Sequence, residues 1–309
     1  QEPQVTLAEK LKEISGFDRV YFCNSGSEAF ESAVKLSRKW GNPQGKTEII
    51  GFSGGFHGRT YAPLSVMDRP LYKDGMEPSL TNTEVLPFND SVALRKAVNH
   101  NTCALALEFL QGEGGVTSAT AEFVETIEEL RREYGFLLIA DEVQAGGGRT
   151  GTFFGYQHHG IQPDIVTMAK AIGGGLPLGA MLARENVAQV WKSGMHGTTY
   201  GGNALTCVAG LVVLEELKNG VIDNVNQIGE YLKHELSKLK IEFPTMILEL
   251  RGRGLMQGIV VNGEALPFVT ALLSRGVIAN ATGGNVIRLV PRLTITKGDV
   301  DEFIGHLRE

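Results

Sequence analysis

The chain of 309 residues is 42% hydrophobic and 21% charged, enough apolar material for one sizeable core and a smaller second one, and too much for a disordered segment. Its net charge of -6 includes no basic stripe, which removes the electrostatic footprint of a nucleic-acid binder; its longest apolar stretches are broken by Glu108 and by Glu215-Glu216, short of membrane-spanning length. Cys23, Cys103 and Cys207 are odd in number, widely spaced and set among apolar residues, the pattern of reduced core thiols in a cytosol-like compartment. The first residues, Gln1 to Glu9, carry neither an initiator methionine nor the basic and apolar pattern of a signal peptide.

From residue 20 to about 185, short β-type runs alternate with helical windows, the pattern of a layered α/β sheet with parallel strands. The predicted strands are 20–23, 47–52, 103–109, 136–140, 165–168 and 178–183. Phe123, Ile127, Leu130 and Tyr134 recur at helical spacing, and Gly135 ends their helix. Residues 203–218 read as a helix apolar on most sides, expected to lie buried between layers, with Gly220 at its end. An amphipathic helix then carries Val225, Ile228, Leu232, Leu236 and Leu239. Strands near 246–250 and 255–261, a helix near 266–274, a strand at 286–290 and a last helix opened by Thr296 complete the chain. The division expected is a large domain over 1–218 and a smaller α/β domain over 219–309.

Two residues carry the chemistry of this reading. Asp141 ends one apolar run and Lys170 follows another, and parallel sheets collect ligands at the carboxyl ends of their strands. A lysine able to form a Schiff base and a carboxylate able to pair with a protonated pyridine ring are what pyridoxal phosphate requires of a protein. Around them, Asn24-Ser-Gly-Ser-Glu28 lies between strand and helix, where Ser25 and Glu28 have capping-box spacing and free N–H groups suit a phosphate. Phe56 or His57 offers an aromatic face, and Arg59 a guanidinium that can grip a carboxylate. Glu108 and Glu113 stand at and beyond the end of an inner strand, one to face a cofactor and one to pair with Arg288. Each motif alone also has a plain reading as a cap, a turn or a solvated loop. Gly146-Gly-Gly-Arg-Thr-Gly151 fits a dinucleotide pattern by letter but has no strand running into it, so a mobile loop near the site is expected. His158-His159 lack metal-ligand spacing, and no metal is expected.

Taken together the chain resembles the class III, or ornithine-type, pyridoxal-phosphate aminotransferases of fold type I, and the likeness spans essentially its whole length. The residues that carry it are Cys23-Asn-Ser-Gly-Ser-Glu28, Phe56-His-Gly-Arg-Thr60, Gln111-Gly-Glu-Gly-Gly115, Asp141-Glu-Val-Gln144, Gly148-Arg-Thr-Gly151, Lys170, Gly197-Thr-Thr-Tyr-Gly-Gly-Asn203 and Gly283-Gly-Asn-Val-Ile-Arg288. The resemblance implies a mostly parallel central sheet with helices on both faces, plus a smaller C-terminal α/β domain. It implies that Ser25, Gly26 and Ser27 hold the cofactor phosphate, that Phe56, His57, Glu108 and Val143 line its ring, and that Asp141 meets the ring nitrogen. Gln144 approaches the ring oxygen, and Lys170 is the covalent anchor and proton carrier. Thr199 reaches the cofactor of a neighbouring subunit, which implies a homodimer with shared sites. Arg59, Thr198 and the Glu113–Arg288 pair contact substrates.

Within the family, Asn280-Ala-Thr-Gly-Gly-Asn-Val-Ile-Arg288 and His196-Gly-Thr-Thr-Tyr200 look most like the acetylornithine aminotransferases of arginine biosynthesis. The implied reaction moves the terminal amino group of N-acetylornithine to 2-oxoglutarate in a cytoplasmic enzyme. Alternative readings are a relative acting on ornithine, 4-aminobutyrate or succinylornithine, an aminomutase, or an inactive cofactor-binding module. The chain starts well inside the usual family sequence, and the segment missing at its amino terminus motivates the last of these. Four departures from the family pattern stand out: Phe30 for asparagine, Phe109 for proline, Ala145 for threonine and Arg292 for proline.

Overall fold

The computed structural model describes residues 1–309. Helix α1 (Glu2–Ser15) leads into β1 (Arg19–Cys23), and Ser25 caps α2 (Gly26–Gly41), which crosses to β2 (Glu48–Phe52). Two short helices, α3 (Tyr61–Ser65) and α4 (Pro70–Lys73), precede β3 (Thr83–Leu86), α5 (Ser91–Ala97) and β4 (Thr102–Leu107). A small hairpin, β5 (Leu110–Gln111) and β6 (Thr117–Ser118), is followed by α6 (Ala121–Tyr134), β7 (Leu137–Asp141), β8 (Ile165–Met168) and β9 (Gly179–Ala183). After α7 (Glu185–Ala188), α8 (Ala204–Glu216) passes through a wide turn at Leu217–Val221 into α9 (Ile222–Glu242). The remainder is β10 (Ile247–Arg253), β11 (Met256–Val261), α10 (Leu266–Ser274), β12 (Asn280–Thr282), β13 (Val286–Leu289) and α11 (Lys297–Arg308).

The central sheet has seven strands in the order β1-β9-β8-β7-β4-β2-β3. Only β9 runs against the rest, pairing antiparallel with both β8 and β1. The sheet is therefore mostly parallel, with helices on both faces, as fold type I requires. Alternation along the inner strands builds the two layers. On one face Leu105, Leu107, Leu138, Ala140, Val166 and Met168 pack with Leu7, Leu11 and Phe123. On the other, Ala104, Ala106, Leu137, Ile139 and Ile165 meet Phe30, Ala33 and Val34 of α2.

Local signals explain where the elements begin and end. The Thr120 hydroxyl accepts the Phe123 N–H at 3.2 Å to open α6, and Gly135 closes it at a φ of 63°. The Thr296 hydroxyl and the Asp299 carboxylate cap each other's backbone at the start of α11. A second sheet, in the order β10-β11-β13-β12, is antiparallel throughout. One of its faces packs under α9, α10 and α11, while Met256, Val260 and Val286 turn toward Leu110, Val116 and Ala145 of the larger layer. No helix is long and apolar enough to cross a membrane.

Three expectations need correction. No element is predicted before residue 20, yet α1 buries Leu7 and Leu11 completely against α8. Helix α8 is not buried on all sides: Leu205, Val208 and Val212 form an open apolar stripe, with Leu205 70% exposed. The loop expected to be mobile is instead packed, since Ala145, Gly146, Gly147, Gly148 and Thr150 are all buried. Arg149 within it donates to the carbonyls of Leu255 and Pro291, which ties the loop to the second sheet.

Candidate active site

Because β1 runs with the parallel strands, the carboxyl ends of β1, β2, β4, β7 and β8 fall on one edge of the sheet. That edge delivers Asn24, Phe56, Glu108, Asp141 and Lys170 to one neighbourhood. A cavity of about 230 Å³ there is walled by Phe56, Glu108, Gly112, Glu113, Asp141, Val143, Gln144, Lys170 and Arg288. A larger apolar cavity of about 330 Å³ lies among Phe243, Ile259, Phe268 and Leu272. It bears no lysine or cysteine and none of the paired acids above.

Lys170 follows β8 directly and has a φ of 50°, a left-handed conformation that a lysine adopts only when its surroundings impose it. Its Nζ donates to Gln144 Oε1 at 2.7 Å. The ammonium is exposed into the cleft and not sealed in the core. The walls still withdraw enough water to lower its pKa, against the opposing charges of Asp141 and Glu108 and with help from Arg288. A lysine so placed is a readier nucleophile and base than a free one.

Asp141 closes β7 and is buried. Its Oδ2 stands 2.7 Å from His57 Nδ1, and its Oδ1 accepts the Val143 N–H at 3.0 Å. His57 thus grips Asp141 instead of offering a face to the cavity. Its ring lies stacked on Phe30, 4.4 Å between centroids, and its Nε2 has no hydrogen-bond partner. Phe30, one of the four departures, so completes an apolar back wall for the histidine. The aromatic face in the cavity is that of Phe56.

Glu108 holds this loop from below, accepting the N–H groups of Phe56 at 2.9 Å and Gly112 at 3.0 Å. Burial, and then the charge of Asp141, push its carboxyl up to about 7. Glu142, for which the sequence suggested no task, accepts the N–H groups of Gly155 and Tyr156 at 2.7 and 2.9 Å, and burial pushes it up to about 8. Those N–H partners lie on a later segment and meet Glu142 only in the fold, which the sequence could not disclose.

Arg288, from β13, donates to Glu113 Oε1 at 2.7 Å, and its side chain is 11% exposed against 39% for Glu113. Ser25 caps α2 by accepting the Glu28 N–H at 3.3 Å, but Glu28 reaches back to the N–H of Asn24 at 2.7 Å, one residue earlier than a capping box. The first N–H groups of α2, on Gly26 and Ser27, point out of the helix end without intrahelical partners. Glycine at position 26 leaves room for Val143, since a Cβ there would stand 2.9 Å from its side chain and force it to shift. Thr198 accepts from Asn24 Nδ2 at 3.2 Å and so belongs with the helix end, not with Glu113 and Arg288. Thr199 is exposed, and Arg59 is also exposed, outside the cavity wall.

Residues 1–309 match the family described as Aminotransferase class-III. An acetylornithine aminotransferase of Archaeoglobus fulgidus is 46% identical over 303 residues, covering 98% of this chain and 78% of that protein. One from Aquifex aeolicus is 41% identical over 309 residues, covering 99% and 80%. Among solved structures, an ornithine aminotransferase from Toxoplasma gondii ME49 superposes with a TM-score of 0.93 at 30% identity, covering 99% of this chain and 75% of that one. An N-acetylornithine aminotransferase from Stenotrophomonas maltophilia K279a gives 0.85 at 36% identity, covering 99% and 78%.

Proposed function

Since the chain belongs to the class III aminotransferases, a pyridoxal-phosphate-dependent family acting on amino and oxo acids, we propose that it moves the terminal amino group of N-acetylornithine to 2-oxoglutarate. The observation that carries this reading is the Glu113–Arg288 pair in the wall of the cavity that holds Lys170. One pocket must take a donor whose reacting amine stands on a carbon without a carboxylate, and then a 2-oxo acid whose reacting carbon bears one. A guanidinium covered by a movable carboxylate serves both, and relatives 41–46% identical bearing the acetylornithine name support the choice of donor.

The residues present fit pyridoxal phosphate. Ser25, Gly26 and Ser27 offer the free end of α2 to its phosphate, with Gly26 kept small by Val143. Phe56 and Val143 flank the space for a flat ring, and buried Asp141, fixed by His57 and the Val143 N–H, faces that space with its charge. When bound, the cofactor supplies an aldehyde carbon that takes up the amino group and a ring that stores an electron pair. Lys170 Nζ provides the covalent attachment and then moves the proton released from the amino-bearing carbon of the donor. Gln144 orients that amine, and Glu108 keeps Phe56 in place. Arg59 holds the donor carboxylate.

Single-turnover bleaching of the lysine-bound cofactor by a panel of amino donors tests the assignment. N-acetylornithine is expected to react fastest; equal or faster reaction of 4-aminobutyrate, ornithine or succinylornithine would move the chain to another branch of the family. In the same assay Arg288→Ala should slow the 2-oxoglutarate half-reaction roughly ten- to a hundred-fold while touching the donor half far less, the cost of one charge-assisted bidentate contact. Equal losses in both halves would remove the masking role of Glu113.

The same reading includes a homodimer, a cytoplasmic location and a division into domains 1–218 and 219–309. The apolar stripe Leu205, Val208 and Val212, preceded by the exposed Thr199 and Tyr200, supports a partner subunit on that face. Three free, buried cysteines support a reducing compartment. The break at Gly220, with a φ of 118°, supports a boundary near residue 219. Val208→Asp is expected to shift the protein toward monomer in sedimentation and to weaken cofactor retention; an unchanged dimer would place the interface elsewhere.

A further inference from the structure

Two arginines serve the carboxylates of the substrates in the reading above, and the structure holds them by different means. Arg288 is engaged by the Glu113 carboxylate through Nη1, while its buried Nε has no partner. Arg59 makes no ion pair; its guanidinium carbon lies 4.0 Å above the centre of the Tyr72 ring. A guanidinium resting on an aromatic face is attracted through the ring quadrupole, and its N–H groups, which lie in its own plane, stay free. The edge of Tyr72 also meets Phe56, with centroids 6.2 Å apart at 86°.

The ring is not a chance neighbour. The segment leading into α4 is registered on the loop that carries Phe56 and Arg59, because Asp68 Oδ1 accepts the Gly54 N–H and Arg69 donates to the Gly54 carbonyl, both at 2.9 Å. At the other end of that loop the Arg59 N–H reaches Ser27 Oγ at 3.4 Å, and a Cβ on Gly58 would strike the same hydroxyl. Backbone and side chain of Arg59 are therefore each fixed, the first by the helix end and the second by Tyr72.

We infer that Tyr72 is a positioning and specificity-determining residue: its ring presents Arg59, with donors free, to the carboxylate of the amino donor. The inference rests on the assignment of Arg59 to that carboxylate. It also sets the two arginines apart, Arg59 resting on an aromatic face with no carboxylate partner and Arg288 paired with Glu113.

The test compares N-acetylornithine with N-acetylputrescine, the same amine without the carboxylate, in the donor half-reaction of the cofactor-loaded enzyme. In Tyr72→Leu the ratio of kcat/KM for the two is expected to fall roughly two- to five-fold, carried in KM, and Tyr72→Phe should restore it. Arg59→Ala should collapse the ratio further. Parallel losses for both donors in Tyr72→Leu would show that the ring acts only by packing on Phe56 and overturn the inference, as would a Tyr72→Phe variant as impaired as Tyr72→Leu. A ratio unchanged in Arg59→Ala would overturn the assignment of Arg59 and this inference with it. A ratio lost in Arg59→Ala but intact in Tyr72→Leu would overturn the inference alone.

Discussion

Lys170→Ala is expected to lower both half-reactions by roughly three to four orders of magnitude and to abolish the visible absorption of the lysine-bound cofactor. The size follows from two losses at one atom, the covalent anchor and the proton carrier, in a cleft where no second amine lines the wall. Folding should be spared, because Lys170 is exposed into the cleft and its one hydrogen bond is to Gln144. Replacing a left-handed lysine by alanine leaves the backbone strain as it is. A small alkylamine added to the variant should restore part of the proton transfer, since the vacated volume and the carboxylates that stabilise an ammonium remain. A variant retaining more than about a tenth of the activity would remove Lys170 from the reaction.

Asp141→Asn is expected to cost roughly two to three orders of magnitude in kcat, the scale of removing a preorganised charge from a buried site. The substitution is chosen because it keeps the shape: an asparagine oxygen can still accept from Val143 or His57, so what disappears is the negative charge and not the scaffold. Thermal unfolding close to that of the parent, together with the kinetic loss, would assign the effect to electrostatics. A loss below about ten-fold would mean that the buried carboxylate is structural.

Much of this site was legible from the chain because its chemistry is tied to strand ends. Asp141 and Lys170 follow uninterrupted apolar runs, and a parallel sheet brings such ends to one edge whatever the loops do. The strand at Ile165–Met168 and the helix at Leu266–Ser274 fall where apolar pattern and turn residues place them. Gly220 reads as the end of the helix that begins after Asn203, and the backbone does break there, at a φ of 118°, before α9 starts at Ile222.

What stayed hidden depends on contacts distant in sequence. His57 reads as a candidate stacking face; only the approach of β7 to the loop after β2 turns it onto Asp141, with Phe30 of α2 behind it. Tyr72 carries no motif, and its meeting with Arg59 requires the clasp on Gly54. Helix α8 is apolar enough to seem enclosed, because composition cannot distinguish a face covered by this chain from one open along Leu205, Val208 and Val212.

Arg149 has a consequence for how the pocket adapts. Burial lowers its pKa to about 10, yet its contacts are the neutral carbonyls of Leu255 and Pro291. Were the two sheets to swing apart, both of these side-chain contacts would be lost together. Arg149 thus ties the loop after β7 to the residues that follow β13, the strand that carries Arg288. In the proposed function, the second substrate is then admitted when Glu113 turns away from Arg288.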